Sequence, residues 1–206
     1  MIVDERMVTY INSLDKGNTP FLNELEKEAL ANYVPIIRRE MQSFLKVLLQ
    51  IKAPLRILEV GTAVGFSTIL MSTYAPKECK IVTIENYEKR IPIAKENFKK
   101  AGKEEQIQIL EGDAKEVLKT LSEPFDFIFM DAAKGQYINF LPDVLRLLKT
   151  GGILLSDNVL QDGDIIESHF AVERRMRQYL YVLKNHELLE TSILPLGDGV
   201  TLSIKK

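Results

Sequence analysis

From residue 55 onward, short apolar runs alternate with stretches that are apolar on one helical face only. LRILEV (55–60) and KIVTIE (80–85) read as strands, and the segments IQILEGDA, FDFIFMDAA and GGILLSDN supply three more, each ending in an acidic residue. The intervening stretches repeat at helical spacing: Ile69, Leu70 and Met71; then Ile91, Ala94, Phe98 and Ala101; then Val117, Leu118 and Leu121; then Leu141, Val144, Leu145 and Leu148. A longer helix is predicted from about Ile165 to Leu183, and the tail LLETSILPLGDGVTLSIKK predicts two strands joined around Pro195 to Gly199. Strands that are apolar along their length and separated by helices imply a parallel sheet covered on both faces.

The first fifty residues differ. One helix opens after Pro20 with Phe21-Leu22-Asn23-Glu24-Leu25, and a second is predicted after Pro35, with Ile37, Met41, Phe44, Leu45 and Leu48 on one stripe. No repeat, low-complexity tract or Pro/Gly/Ser linker divides the chain. The expectation is one domain over residues 1–206, with a helical extension (1–52) and an α/β core (55–206).

Composition changes this picture little. At 206 residues with 46% hydrophobic and 27% charged side chains, the chain can bury one real core. No apolar run approaches the roughly 20 residues of a membrane span, and the acidic, mixed N-terminus does not read as a signal peptide. The single cysteine, Cys79, excludes an internal disulfide and fits a cytoplasmic protein. A net charge of −2 provides no global field for nucleic acid, so any RNA contact needs a local patch. Two arginine clusters qualify, Arg38 with Arg39 and Arg174 with Arg175 and Arg177, although such runs are commonly solvated helix faces.

Ligands of parallel α/β sheets bind outside the carboxyl ends of the strands, where this chain places its acidic residues. The loop GTAVG (61–65) lacks the lysine of a phosphate-binding loop. It also lacks the second and third glycines of a dinucleotide fingerprint, since Ala63 and Phe66 stand there. Glu59 would crowd a pyrophosphate but suits a cationic ligand. Glu85 can accept from both ribose hydroxyls, and Gly112-Asp113-Ala114 can meet an adenine edge. On three successive strands, these features fit an adenosine bearing a positive sulfonium. Beyond the fourth and fifth strands, Asp131, Asp157 and Asn158 form a hard oxygen set suited to Mg²⁺. They can share an ion only if the chain turns at Asp157, because adjacent strand residues point to opposite faces; alone, Asp157-Asn158 could simply cap the next helix. Lys134, three residues past Asp131, would lie beside two cationic groups that disfavour its protonation, which suits a general base.

The runs Leu58–Ser67, Thr83-Ile84-Glu85, Met130-Asp131-Ala132-Ala133-Lys134 and Ser156–Leu160 resemble the class I, cation-dependent O-methyltransferases, the catechol and caffeoyl-CoA type, over nearly the whole chain. The resemblance implies a Rossmann-like, seven-stranded sheet with an antiparallel last strand, S-adenosylmethionine as cofactor, Mg²⁺ or another hard divalent ion on Asp131, Asp157 and Asn158, and a catalytic Lys134. It also implies cofactor contacts from Ile37, Glu59, Gly61, Ser67, Glu85, Asp113, Ala114 and Asp131, together with a homodimer. One departure is Ala133, where catechol methyltransferases carry a bulky aromatic before the lysine. The segments AAKGQY, DNVL, ERRMRQYL and PLGDG are similar to the branch that methylates tRNA 5-hydroxyuridine to 5-methoxyuridine at the wobble position. That branch makes a tRNA anticodon loop the expected partner, with a small catechol or caffeoyl-CoA-like acceptor as the alternative. A cofactor-binding sensor without catalysis is disfavoured by the presence of Lys134 and all three oxygen ligands.

Overall fold

In a computed structural model, residues 3–166 and 170–206 are described. Three helices open the chain: α1 (Glu5–Ser13), α2 (Pro20–Ala31) and α3 (Arg39–Lys52). The alternating part follows as β1 (Arg56–Val60), α4 (Phe66–Tyr74), β2 (Lys80–Glu85), α5 (Ile91–Lys100), β3 (Ile107–Glu111), α6 (Ala114–Thr120), β4 (Phe125–Met130), α7 (Tyr137–Leu147) and β5 (Leu148–Ser156). It ends in α8 (Ala171–Asn185), β6 (Leu189–Leu194) and β7 (Val200–Lys205), and single 3-10 turns occupy Lys134–Gln136 and Gln161–Gly163. Among the described residues, no helix is long and apolar enough to cross a membrane.

The seven strands form one sheet in the order β3-β2-β1-β4-β5-β7-β6. The β3-β2-β1-β4-β5 pairs are parallel, and β7 runs antiparallel to both β5 and β6. This is the expected seven-stranded sheet. Its two-sided burial explains the unbroken apolar strands. Ile57, Phe127, Phe129, Ile153 and Leu155 join one core with α2, α3, α4 and α5, while Leu58, Ile128, Met130 and Leu154 join a second with α6, α7 and α8. A fully buried Leu, Ile or Phe contributes on the order of 2 kcal/mol, so the central strands are rigid rods whose ends can hold charged groups in place.

Two helix starts differ from the sequence-based expectation. The second N-terminal helix begins at Arg39, not just after Pro35, because Arg38 is its extended N-cap. Ile37 therefore lies off the helical stripe, although its side chain is buried in the same core. The long C-terminal helix begins at Ala171 rather than near Ile165, with Phe170 as its extended N-cap. A tight turn lies at Gln161–Gly163, where Gln161 and Gly163 both take positive φ, and residues 167–169 of the expected helix lie outside the described residues. Ile165 still packs into the second core, as the hydrophobic pattern implied.

Candidate active site

At the carboxyl ends of the parallel strands lies a cleft of about 860 Å³, within the range of small-molecule sites. One end is built from the loops after β1, β2 and β3, the other from the loops after β4 and β5. The β6–β7 turn and residues 35–38 complete its wall.

The β1 loop sits tight against its neighbours. Gly61, at φ 106, donates its amide to the Ile84 carbonyl, and a Cβ there would lie 2.1 Å from the Asp131 carbonyl oxygen. Glycine is required at this point because main chain meets main chain. Glu85, at the end of β2, lines the cleft; its Oε2 accepts from the Ala63 amide at 2.7 Å and its Oε1 from the Asn86 and Tyr87 amides at 3.0 and 2.9 Å. Oε1 thus has both lone pairs engaged, while Oε2 keeps one for a further donor, which a ribose hydroxyl would supply. Asp113 caps α6 by accepting from the Lys115 amide at 2.8 Å, and both Asp113 and Ala114 face the cleft. Ile37 also lines it, its carbonyl engaged by Gln42 Nε2 at 3.0 Å.

Glu59 occupies a different place from the one its motif suggests. It is fully buried behind the β1 loop and takes no part in lining the cleft. Its carboxyl is gripped by the Ser67 hydroxyl at 2.5 Å, the Thr83 hydroxyl at 2.6 Å and the Thr68 hydroxyl, and Thr83 also meets Thr62 at 2.6 Å. Burial pushes this carboxyl up to about 7, against the three hydroxyl donors, with the charge of Asp131 adding to the rise. Glu59 thus acts on the cleft through Ser67, which does line it.

At the other end, the Asp131 amide donates to the Val60 carbonyl and the Asp157 amide to the Met130 carbonyl, continuing the ladder one residue past each strand. Asn158 then turns into the left-handed region, φ 56, which Asn tolerates better than most residues. That turn brings Asp157 and Asn158 onto the cleft together with Asp131, as a shared ion requires. Lys134 Nζ stands 2.6 Å from Asp131 Oδ1 and 3.1 Å from the hydroxyl of Tyr137, a fully buried residue hydrogen-bonded to the Met130 and Asp157 carbonyls.

The donor chemistry fits a hard divalent cation: two carboxylates and one amide at adjacent strand ends. Burial raises the Asp157 carboxyl strongly, and Asp131 raises it further, while Lys134 and the Asn158 amide only partly offset them. Uncompensated negative potential of this kind favours a bound cation. Among the described residues, no three Asp, Glu, His or Cys side chains are grouped as a ready-made metal cage. The set relies instead on the Asn158 amide.

Sequence reasoning missed two residues here. Tyr137 reads as an ordinary core aromatic. Asp198, in the β6–β7 turn, accepts from Asn158 Nδ2 at 3.0 Å and forms an ion pair with Arg38 at 2.6 Å. Only tertiary pairing reveals either. Arg38, Arg39, Arg175 and Arg177 have separate partners. Arg38 lines the cleft, Arg39 is paired with Glu26, Arg177 donates to the Ile165 carbonyl, Arg175 reaches the Gly135 carbonyl at 3.3 Å, and Arg174 is exposed.

Comparison with known proteins bears on this geometry. The O-methyltransferase family model matches residues 12–206. A catechol O-methyltransferase of Niastella koreensis is 29% identical, across 98% of this chain and 91% of its own length. Caffeoyl-CoA O-methyltransferase 2 of Populus trichocarpa is 33% identical, across 77% of this chain and 70% of its own. A solved structure of a SAH-bound methyltransferase of Podospora anserina superposes with a TM-score of 0.90 at 28% identity, covering 98% of this chain and 94% of that one.

Proposed function

Because this chain belongs to the O-methyltransferase family, we propose that it transfers the methyl group of S-adenosylmethionine, with a divalent cation, to one of two vicinal oxygens on a flat acceptor. It is an S-adenosylmethionine-dependent O-methyltransferase of the catechol and caffeoyl-CoA type. One observation carries the finer reading: Asp131, Asp157 and Asn158 converge at one end of the cleft beside Lys134, while Glu85 and Asp113 stand at the other.

Bound S-adenosylmethionine supplies a methyl group on a positive sulfonium, open to in-line displacement. Glu85 would hold the ribose, Asp113 and Ala114 would meet the adenine, and the glycine turn would leave room for the nucleoside at the strand end. Asp131, Asp157 and Asn158 would hold a divalent ion, Mg²⁺ or a similar hard cation, which would supply acidification of the acceptor hydroxyl. Lys134 Nζ, 2.6 Å from Asp131 Oδ1, is the group placed to receive the proton that leaves the acceptor hydroxyl; general-base catalysis of this kind contributes about 10²–10⁴-fold.

The acceptor we propose is the 5-hydroxyl of 5-hydroxyuridine at the tRNA wobble position, whose hydroxyl lies next to a carbonyl oxygen as in a catechol. Supporting this, Ala133 puts only a methyl group at the cleft beside Lys134, and Arg38 and Arg175 lie on or next to the wall. A second reading, a small catechol or caffeoyl-CoA-like acceptor, is favoured by the names of the relatives. Mass spectrometry of tRNA nucleosides from a deletion strain separates them: 5-hydroxyuridine is expected to accumulate. Unchanged tRNA, together with turnover of free catechols by the purified enzyme, would establish the second reading. For a homodimer, we place the second copy on α1, where Tyr10, Ile11 and Leu14 are exposed; sedimentation as a monomer would remove that assignment.

A further inference from the structure

We infer that Asp198 is a positioning residue for the cation site, holding the Asn158 amide on one side and the cleft-lining segment at Arg38 on the other. The inference rests on the cation reading above. An Asn side chain swings between two nearly equivalent orientations that exchange oxygen for nitrogen, because its terminal torsion is broad and roughly two-fold. Only one of these presents an oxygen to a hard cation. The bond from Asn158 Nδ2 to Asp198 Oδ2, 3.0 Å, engages the nitrogen and so selects that orientation.

Asp198 can do this because its own position is set by main chain. Its carbonyl accepts from the Leu160 and Gln161 amides at 2.9 and 3.1 Å, and the Gly199 carbonyl accepts from the Val159 amide at 2.9 Å. A Cβ at Gly199 would lie 2.3 Å from Leu160 Cγ, so the β6–β7 turn and the loop after β5 are closely apposed. The second carboxylate oxygen of Asp198 stands 2.6 Å from Arg38 Nη2. Arg38 is the N-cap of α3 and follows Pro35, Ile36 and Ile37 along the cleft wall. One carboxylate therefore joins an oxygen ligand, the last turn of the sheet and the N-terminal segment.

Charge and positioning make opposite predictions at Arg38. Removing a cation next to an acidic site tightens the binding of a second cation if only Coulomb forces act. Removing the group that anchors Asp198 loosens the Asn158 amide and weakens binding. The test is Mn²⁺ titration of the full-length protein, with free Mn²⁺ followed by electron paramagnetic resonance and folding checked by thermal melting. Asp198→Ala is expected to weaken Mn²⁺ binding by about tenfold or more, the usual range for partners of metal ligands. Asp198→Asn, which keeps an acceptor oxygen, should fall between Asp198→Ala and wild type, and Arg38→Ala should bind more weakly than wild type. Mn²⁺ binding by Asp198→Ala at wild-type affinity overturns the inference, as does tighter binding by Arg38→Ala. Should Asp198→Ala fail to fold, Asp198→Asn and Arg38→Ala carry the comparison. Absence of Mn²⁺ binding by the wild type would overturn the cation reading itself and this inference with it.

Discussion

The two ends of the cleft hold their acids in different ways. At the cofactor end, Glu85 is held by three backbone amides and the buried Glu59 by three hydroxyls, all neutral donors supplied by the surrounding turns. At the reacting end, Asp131 and Asp157 face each other, with Asp198 close by. The cations in direct ion-pair contact with this group are Lys134 on Asp131 and Arg38 on Asp198. The first end is organised before any ligand arrives. The second is organised in its main chain but crowded in its charge. A site that admits a cation and moves a proton, as proposed above, gains from that crowding, since each new positive charge relieves it. A site that only has to recognise a nucleoside gains from fixed, neutral donors.

Breaking the charged end should have the largest effect. Asp157→Ala removes one of the proposed oxygen ligands, and losing several kcal/mol of charge stabilisation corresponds to a drop on the order of a thousandfold in turnover. SAH affinity, measured by calorimetry, should stay near wild type, because the cofactor end is built from other residues. Turnover close to wild type, followed by radiolabelled methyl transfer, would show that the acids serve some other purpose.

A smaller effect tests the neutral end. The Glu59 carboxyl takes up its proton near pH 7 in the folded protein, against 4.5 ordinarily. The folded state therefore holds the extra proton between those values. The stability this contributes is fully present below about pH 4.5 and is lost as pH rises through about 7; the shift corresponds to ~3 kcal/mol. Glu59→Gln cannot titrate. The stability of wild type relative to this variant should decline over that window in denaturant melts at stepped pH. A constant difference would mean that the carboxyl stays ionised among its hydroxyls.

The smallest change sharpens the comparison. Tyr137→Phe leaves the carboxylates untouched and removes only the hydroxyl that Lys134 meets at 3.1 Å. The hydroxyl also donates to the Met130 and Asp157 carbonyls; each such bond is worth ~1 kcal/mol, and since only the one to Lys134 bears on the reacting group, turnover should fall by less than about tenfold, with a shifted pH profile for kcat. An unchanged profile would leave Tyr137 with only a packing role.

Much of this was legible in the sequence, and the boundary of what was legible has a physical cause. The strands announce themselves because burial on both faces demands unbroken apolar runs, and Asp131, Asp157, Asn158 and Glu85 announce themselves because they end those runs. The requirement that the chain turn at Asp157 could be stated in advance, and the φ of 56 at Asn158 meets it. What escaped were relations between distant segments. Nothing in PLGDG indicates that Asp198 meets Asn158, forty residues away, or that Arg38 turns toward it. Glu59 was placed on the cleft by its motif, whereas the hydroxyls of Ser67, Thr68 and Thr83 draw it behind the wall. The early ends of α3 and α8 escaped for a local reason: an apolar pattern records which side chains are buried, and extended backbone buries Ile37 as well as a helix would.

The missing side chain at Gly61 limits how such an enzyme could be re-engineered. Since even a methyl group there would meet the Asp131 carbonyl, the seam between donor and acceptor compartments is backbone against backbone. The spacing across it is therefore inherited with the sheet, and no exchange of nearby side chains can lengthen or shorten it. Redirecting the enzyme toward larger or smaller acceptors falls to the outer wall at Ala133 and at Pro35 and Ile36 ahead of α3, while Asp198 and Arg38 stay in place to hold the Asn158 amide.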